Sequence, residues 1–307
     1  MNALHTVTPL WDSRPISAAA RTQVWLKMEA FQPSGSFKAR GMGEACLAAK
    51  EAGAVRVVCA SGGNAGYAVA YAGQQLQLDV TIIVPQTTPA RSRELIQTTG
   101  AQLLVHGSAW DDAYAHAVTL AEQTGAINIH PFDDPQVWRG HASLVREIAA
   151  AGIKPGAMVL SVGGGGLLCG VAEGLQALGW MDVPIVAVET EGASSFAQSV
   201  RADRLVTLDR ITSIATTLGA RTVAQQALDW THRHPIAPWV ISDRAAVDAC
   251  LRFADDHRVL VEPACGAALA AGYLRAPALI DRDPVVIIVC GGVGVTRELL
   301  QKWDEQV

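Results

Sequence analysis

Three times in 307 residues, an apolar stretch of strand composition runs into a glycine-bearing turn and then a helix of small residues. The stretch 24–29 leads to Pro33-Ser34-Gly35-Ser36-Phe37-Lys38 and a helix that stops at Gly53. The stretch 56–60 leads to Ser61-Gly62-Gly63-Asn64-Ala65-Gly66 and a helix over about 67–75. The stretch 157–162 leads to four consecutive glycines, Gly163 to Gly166, and a helix over 167–178. Strand–turn–helix units at this spacing fold as right-handed crossovers, which require a parallel sheet with helices on both faces. Strands 80–84 and 102–105, with helices 89–98 and 111–123, extend the pattern.

His130-Pro131-Phe132-Asp133-Asp134-Pro135 interrupts the rhythm with two prolines and two acids in six residues, and reads as a crossing between domains. After it come helix 137–150, strand 184–189, helices near 221–230 and 244–257, and a small-residue helix after Pro263. The region 191–217 is less regular. The last strand, 285–289, is apolar on both faces, as a central parallel strand must be. It delivers Cys290-Gly291-Gly292 to its C-terminal end.

Half of the residues are hydrophobic and 17% are charged, enough for a large core divided between two domains. A net charge of −5 without a basic run argues against nucleic acid. No apolar run approaches a membrane span, and the N-terminus lacks the features of a signal peptide. The six cysteines are scattered without zinc spacing and read as reduced thiols of a cytoplasmic protein. His232 and His234 read as a solvated helix end.

Chemistry is carried by the turns. Lys38 falls in a first helical turn, where the positive end of the dipole disfavours a second positive charge. An amine that gives up its proton there is a nucleophile for carbonyls, and the usual product is a Schiff base. The free N–H groups of Gly163–Gly166 and the start of the next helix suit a phosphate. Ser61 and the N–H groups beside it could grip a carboxylate, with Asn64 reaching a ring oxygen. Open α/β sheets bring such turns to one shared site at strand C-terminal ends. A dinucleotide fold is the rival, with Glu189 as the ribose-binding acid. Its glycine spacing fails, because the third glycine position falls on Leu168 or Cys169.

With P-S-G-S-F-K-A-R-G, S-G-G-N-A-G, P-F-D-D-P, S-V-G-G-G-G-L-L-C-G, V-E-P-A-C-G-A-A-L-A and V-C-G-G in place, the chain resembles a known family over nearly its whole length. It is similar to the pyridoxal-phosphate-dependent serine/threonine dehydratases of the tryptophan-synthase-β fold type, and more closely to the short L-serine dehydratases of animal liver. The resemblance implies an α/β fold of two open, mainly parallel twisted sheets with helices on both faces. It implies a small domain over 37–131 and a large domain formed by 1–36 and 132–307.

The resemblance also assigns roles. Lys38 is expected to form the Schiff base with pyridoxal 5′-phosphate, and Phe37 to cover one face of its ring. Gly163, Gly164, Gly165, Gly166 and Leu167 match the phosphate loop, Asn64 the partner of the ring hydroxyl, and Cys290 the partner of the pyridine nitrogen. Ser61, Gly62, Gly63, Asn64 and Ala65 match the substrate-carboxylate loop, with Ser61 counted beside Lys38 as catalytic. Glu189, Ala193, Ser195, Leu218 and Ala220 match a monovalent-cation site, commonly potassium. The implied reaction is deamination of L-serine to pyruvate and ammonia by β-elimination, with L-threonine giving 2-oxobutanoate. A homodimer is expected, acting on a small amino acid, with neither nucleic acid nor membrane as partner. The same fold type also hosts cysteine-synthase-like replacement and serine racemisation, and a non-enzymatic cofactor-binding role is the alternative of a different class. Gly62 stands where racemases carry a serine base.

Overall fold

In a computed structural model of the chain, which describes residues 3–307, the backbone divides into two compact units. The smaller comprises Gln32–His141 and takes the N-terminal segment through Thr6; the larger joins Val7–Phe31 to Ala142–Val307. In chain order the large unit opens with β1 (Leu10–Asp12), α1 (Arg14–Ala20) and β2 (Val24–Lys27). The small unit follows with α2 (Lys38–Glu51), β3 (Arg56–Ala60), α3 (Asn64–Leu76), β4 (Asp79–Val84) and α4 (Ala90–Gln97). It closes with β5 (Gln102–Val105), α5 (Trp110–Thr124) and β6 (Ile127–Asn128). Helix α6 (Pro135–Ala150) carries the chain back to the large unit. There β7 (Ala157–Ser161), α7 (Gly166–Ala177), β8 (Ile185–Thr190), α8 (Ser195–Ala202), α9 (Gln225–Thr231) and β9 (Ile236–Ile241) succeed one another. The chain ends with α10 (Asp243–His257), α11 (Pro263–Tyr273), β10 (Val285–Ile288) and α12 (Arg297–Gln306).

The small sheet has the order β5-β4-β3-β6 and is parallel throughout. The large sheet has the order β1-β2-β10-β7-β8-β9, parallel except for the antiparallel edge strand β1. Two mainly parallel sheets are what the alternation of strands and helices requires. Strand β10 lies between β2 and β7, and all four of its residues are fully buried. Each such aliphatic side chain stabilises the fold by about 1.5–3 kcal/mol. Helix α11 is buried along its whole length, which explains its run of alanine and glycine. A Cβ on Gly266 would lie 2.1 Å from the Ala246 carbonyl of α10, so the two helices approach as only glycine permits.

Several elements escape sequence reading. Helix α1 is short but capped, Ser13 Oγ accepting the Ile16 N–H at 3.3 Å. Strand β9 contains Pro238, tolerable because β9 is an edge strand paired only with β8. Helix α8 lies inside the stretch expected to be irregular, and α9 starts at Gln225, later than the expected 221. The preceding residues are drawn into a turn in which the Ala224 N–H donates to the Gly164 carbonyl at 3.0 Å. His234 is not a solvated residue: it is buried, with Nε2 2.7 Å from the Val183 carbonyl, and burial lowers its pKa. His232 does stay at the surface, 3.3 Å from Asp203.

Candidate active-site residues

In the small unit, Lys38 is the first residue of α2, as its place behind the Ser/Gly turn predicts. Its Nζ donates to the Pro131 carbonyl and lies 5.3 Å from the centroid of the Phe37 ring. Phe37 packs on the fully buried ring of His141, centroids 4.9 Å apart. Burial first, then the charges of Lys38, Arg40 and His5, hold that histidine well below the usual imidazole pKa. Cys59 of β3 is buried, which pushes its thiol up to about 12 although Lys38 pulls the other way. Burial raises Cys46 still further, so neither thiol is a nucleophile.

The Ser61 turn leaves the C-terminal end of β3, and α3 begins at Asn64, which is buried. Gly63 caps that helix without a side-chain acceptor, and a helix N-terminus of this kind is where N–H groups can meet an anion. The Gly63 N–H lies 3.4 Å from Ser61 Oγ. A Cβ on Gly66 would sit 1.8 Å from the Ser61 carbonyl, which explains the last glycine of the motif. A Cβ on Gly62 would sit 2.5 Å from Thr88 Cγ2 and 2.7 Å from Thr88 Oγ1. The structure thus brings Lys38, Phe37 and the Ser61–Ala65 turn into one unit.

Four residues that sequence reading passed over support these groups. Trp110 Nε1 donates to the carbonyl of Ala60 at 2.7 Å, fixing the residue that precedes Ser61. Tyr114 stacks on Trp110, and His130 meets both rings edge-on. Thr88 faces Gly62. The only sequence signal for any of them is the H-P-F-D-D-P run, legible as an irregular crossing but not as a support.

In the large unit, the four glycines follow β7 and Val162. Gly165 has φ +90° and caps α7 with no side-chain acceptor. The turn 216–218 packs behind Gly163, where a Cβ would lie 3.1 Å from Leu218 Cα. Glu189, at the end of β8, is fully buried. Its carboxylate accepts the Phe196 and Ala197 N–H groups at 2.9 and 2.7 Å, where α8 begins. Burial nevertheless pushes its pKa up to about 7, the two N–H donors opposing. Ala193 and Ser195 lie on the same turn, and the buried Ser195 Oγ has no hydrogen-bond partner among the described residues. Leu218 and Ala220 are linked by a 2.8 Å backbone hydrogen bond. Cys290 follows β10, is buried, and lies 3.7 Å from the Ile288 carbonyl. It shares a side-chain hydrogen bond with Cys265 of α11, and burial, then that bond, raises the Cys265 pKa well above the usual thiol value.

Among the described residues no three His, Cys, Asp or Glu side chains are grouped to hold a metal ion, and no helix is long and apolar enough to cross a membrane.

The chain is similar to known proteins over nearly its whole length. The chain is 49% identical over 314 residues to an L-serine dehydratase/L-threonine deaminase of Homo sapiens, covering 99% of this chain and 96% of that one. The Mus musculus protein of the same name is 48% identical over 315 residues, with the same coverage. Among solved structures, an L-serine ammonia-lyase from the fungus Rhizomucor miehei superimposes with a TM-score of 0.93, at 36% identity and 99% coverage of both chains. The profile described as pyridoxal-phosphate dependent enzyme matches residues 2–291. By this match, which spans most of its length, the chain belongs to the family of pyridoxal-phosphate-dependent enzymes.

Proposed function

We propose that this chain deaminates L-serine to pyruvate and ammonia by β-elimination, and L-threonine to 2-oxobutanoate, with pyridoxal 5′-phosphate as cofactor. The observation that carries the proposal is Lys38 at the first position of α2, its Nζ held by the Pro131 carbonyl, in a chain whose near relatives bear the names above.

The residues fit the cofactor. The start of α7 offers N–H groups without a side-chain cap, and in the turn before it a Cβ on Gly165 would lie 2.6 Å from Ala227 Cβ. Gly163, Gly164, Gly165, Gly166 and Leu167 would hold the phosphate, Asn64 the ring hydroxyl, Cys290 the pyridine nitrogen, and Phe37 one ring face. When bound, the cofactor supplies a carbonyl that condenses with amines and an electron sink for the charge left by proton loss.

The chain's own residues do the rest. Ser61 and the N–H groups of Gly62, Gly63, Asn64 and Ala65 bind and orient the substrate carboxylate. Lys38 Nζ takes the α-proton as general base. The Pro131 carbonyl steadies Nζ while it carries that proton, as a charge-assisted acceptor does. Gly62 offers no hydroxyl to return a proton from the other side, which favours elimination over racemisation.

We assign Glu189, Ala193, Ser195, Leu218 and Ala220 to a monovalent-cation site, supported by a buried carboxylate beside a buried, unpartnered Ser195 hydroxyl. We also propose residues 37–131 as the small functional domain, a homodimer as the active form, and the cytoplasm as its location. All six cysteines being free and buried suits a reducing compartment. A 2-oxo-acid assay on purified, cofactor-loaded protein tests the function. Turnover of L-serine and L-threonine is expected, and a loaded protein inert towards both contradicts it.

A further inference from the structure

We infer that His130 is a positioning residue for Lys38, acting through the turn that presents the Pro131 carbonyl. The inference rests on the reading of Lys38 as the cofactor-binding amine.

Its Nδ1 accepts two backbone N–H groups, from Asp133 at 2.8 Å and Phe132 at 3.3 Å. These two bonds close the turn over Pro131, whose own carbonyl takes the Lys38 ammonium. The ring can play this part only when Nδ1 is unprotonated, which places its proton on Nε2. The surroundings enforce that state. Tyr114 and Phe132 meet the ring edge-on, with centroids 5.2 and 4.6 Å away, and Trp110 lies at 6.1 Å. Burial, then the nearby charge of Lys38, lowers its pKa to about 4. The same aromatic group contains Trp110, which fixes the Ala60 carbonyl ahead of the Ser61 turn. One cluster therefore braces both the acceptor for the lysine and the start of the carboxylate turn.

Two substitutions separate the acceptor from the packing. His130→Asn keeps an acceptor near the place of Nδ1 and loses the ring. His130→Phe keeps the ring and loses the acceptor. Apoprotein of each variant is mixed with pyridoxal 5′-phosphate, and the rate at which borohydride fixes label on Lys38 is followed by peptide mass. Pyridoxamine 5′-phosphate, which has no aldehyde, reports cofactor affinity independently of the lysine, and kcat and KM for L-serine are measured alongside.

His130→Phe is expected to slow labelling and lower kcat by about tenfold, the usual cost of a lost hydrogen bond at a buried site. KM and pyridoxamine 5′-phosphate affinity should stay within about twofold, and His130→Asn should recover most of the rate. Labelling of His130→Phe at the wild-type rate, or equal impairment of both variants, overturns the inference. Should His130→Phe fail to fold, wild-type-like labelling by His130→Asn supports the acceptor role and slow labelling overturns it. Wild-type protein labelled elsewhere than Lys38, or not at all, overturns the reading of Lys38 itself and this inference with it.

Discussion

The side chain of Thr88 occupies the space that a Cβ on Gly62 would need, with Cγ2 and Oγ1 within 2.5 and 2.7 Å of it. A β-branched side chain is stiff about χ1, so this space does not open freely. Gly62→Ser should therefore lose about tenfold or more of elimination through overpacking, without gaining D-serine formation. Adding Thr88→Ala should restore elimination in part and allow D-serine to appear. Chiral chromatography of the products checks both. D-serine from the unmodified protein at a rate near that of pyruvate would defeat the claim.

Cys290 yields the second prediction. A thiol is a weak donor without negative charge, so in the proposed role it would hold the pyridine nitrogen without protonating it. Cys290→Ser should keep activity to within about fivefold, since a hydroxyl bonds in the same neutral way. Cys290→Asp places a carboxylate beside Cys265 in a buried position, a costly exchange. It should cut elimination at least about tenfold and give a longer-wavelength absorbance band on mixing with L-serine. Unchanged rate and spectrum in Cys290→Asp would leave Cys290 as a core residue only.

The cation site proposed at Glu189 would tie ion binding to pH. Its folded pKa is raised to about 7 from an ordinary 4.5, so the protonated form is favoured by folding. That contribution is fully present below the unfolded pKa and is lost as pH rises through 7. A potassium ion needs the carboxylate, so it should stabilise the protein more near pH 8 than near pH 6. Thermal melts in potassium against tetramethylammonium should show a Tm difference that grows with pH and vanishes in Glu189→Gln. Equal melting in both salts at each pH would remove the cation from the account.

The turns expected to carry the chemistry were legible as strand–helix junctions because their signals are local. Lys38, Ser61 and Gly163 each follow a short apolar strand and precede a helix of small residues, and the structure places them at those junctions. The supports were not legible, because parallel topology brings them from far along the chain. Trp110 reaches Ala60 from the start of α5, and Thr88 reaches Gly62 from the loop before α4. Cys265 meets Cys290 because α11 packs against β10. Strand β9 was hidden by its proline, and β1 and α1 by their shortness.

The central claim is that the Lys38 amine holds the cofactor and drives the elimination. Borohydride treatment of the loaded protein, followed by peptide mass analysis, measures it most directly, with L-serine turnover of Lys38→Ala as its partner. The account predicts label on Lys38 alone and a Lys38→Ala protein with almost no pyruvate formation. Label on another lysine, or a Lys38→Ala protein that still turns over L-serine at a comparable rate, would contradict it.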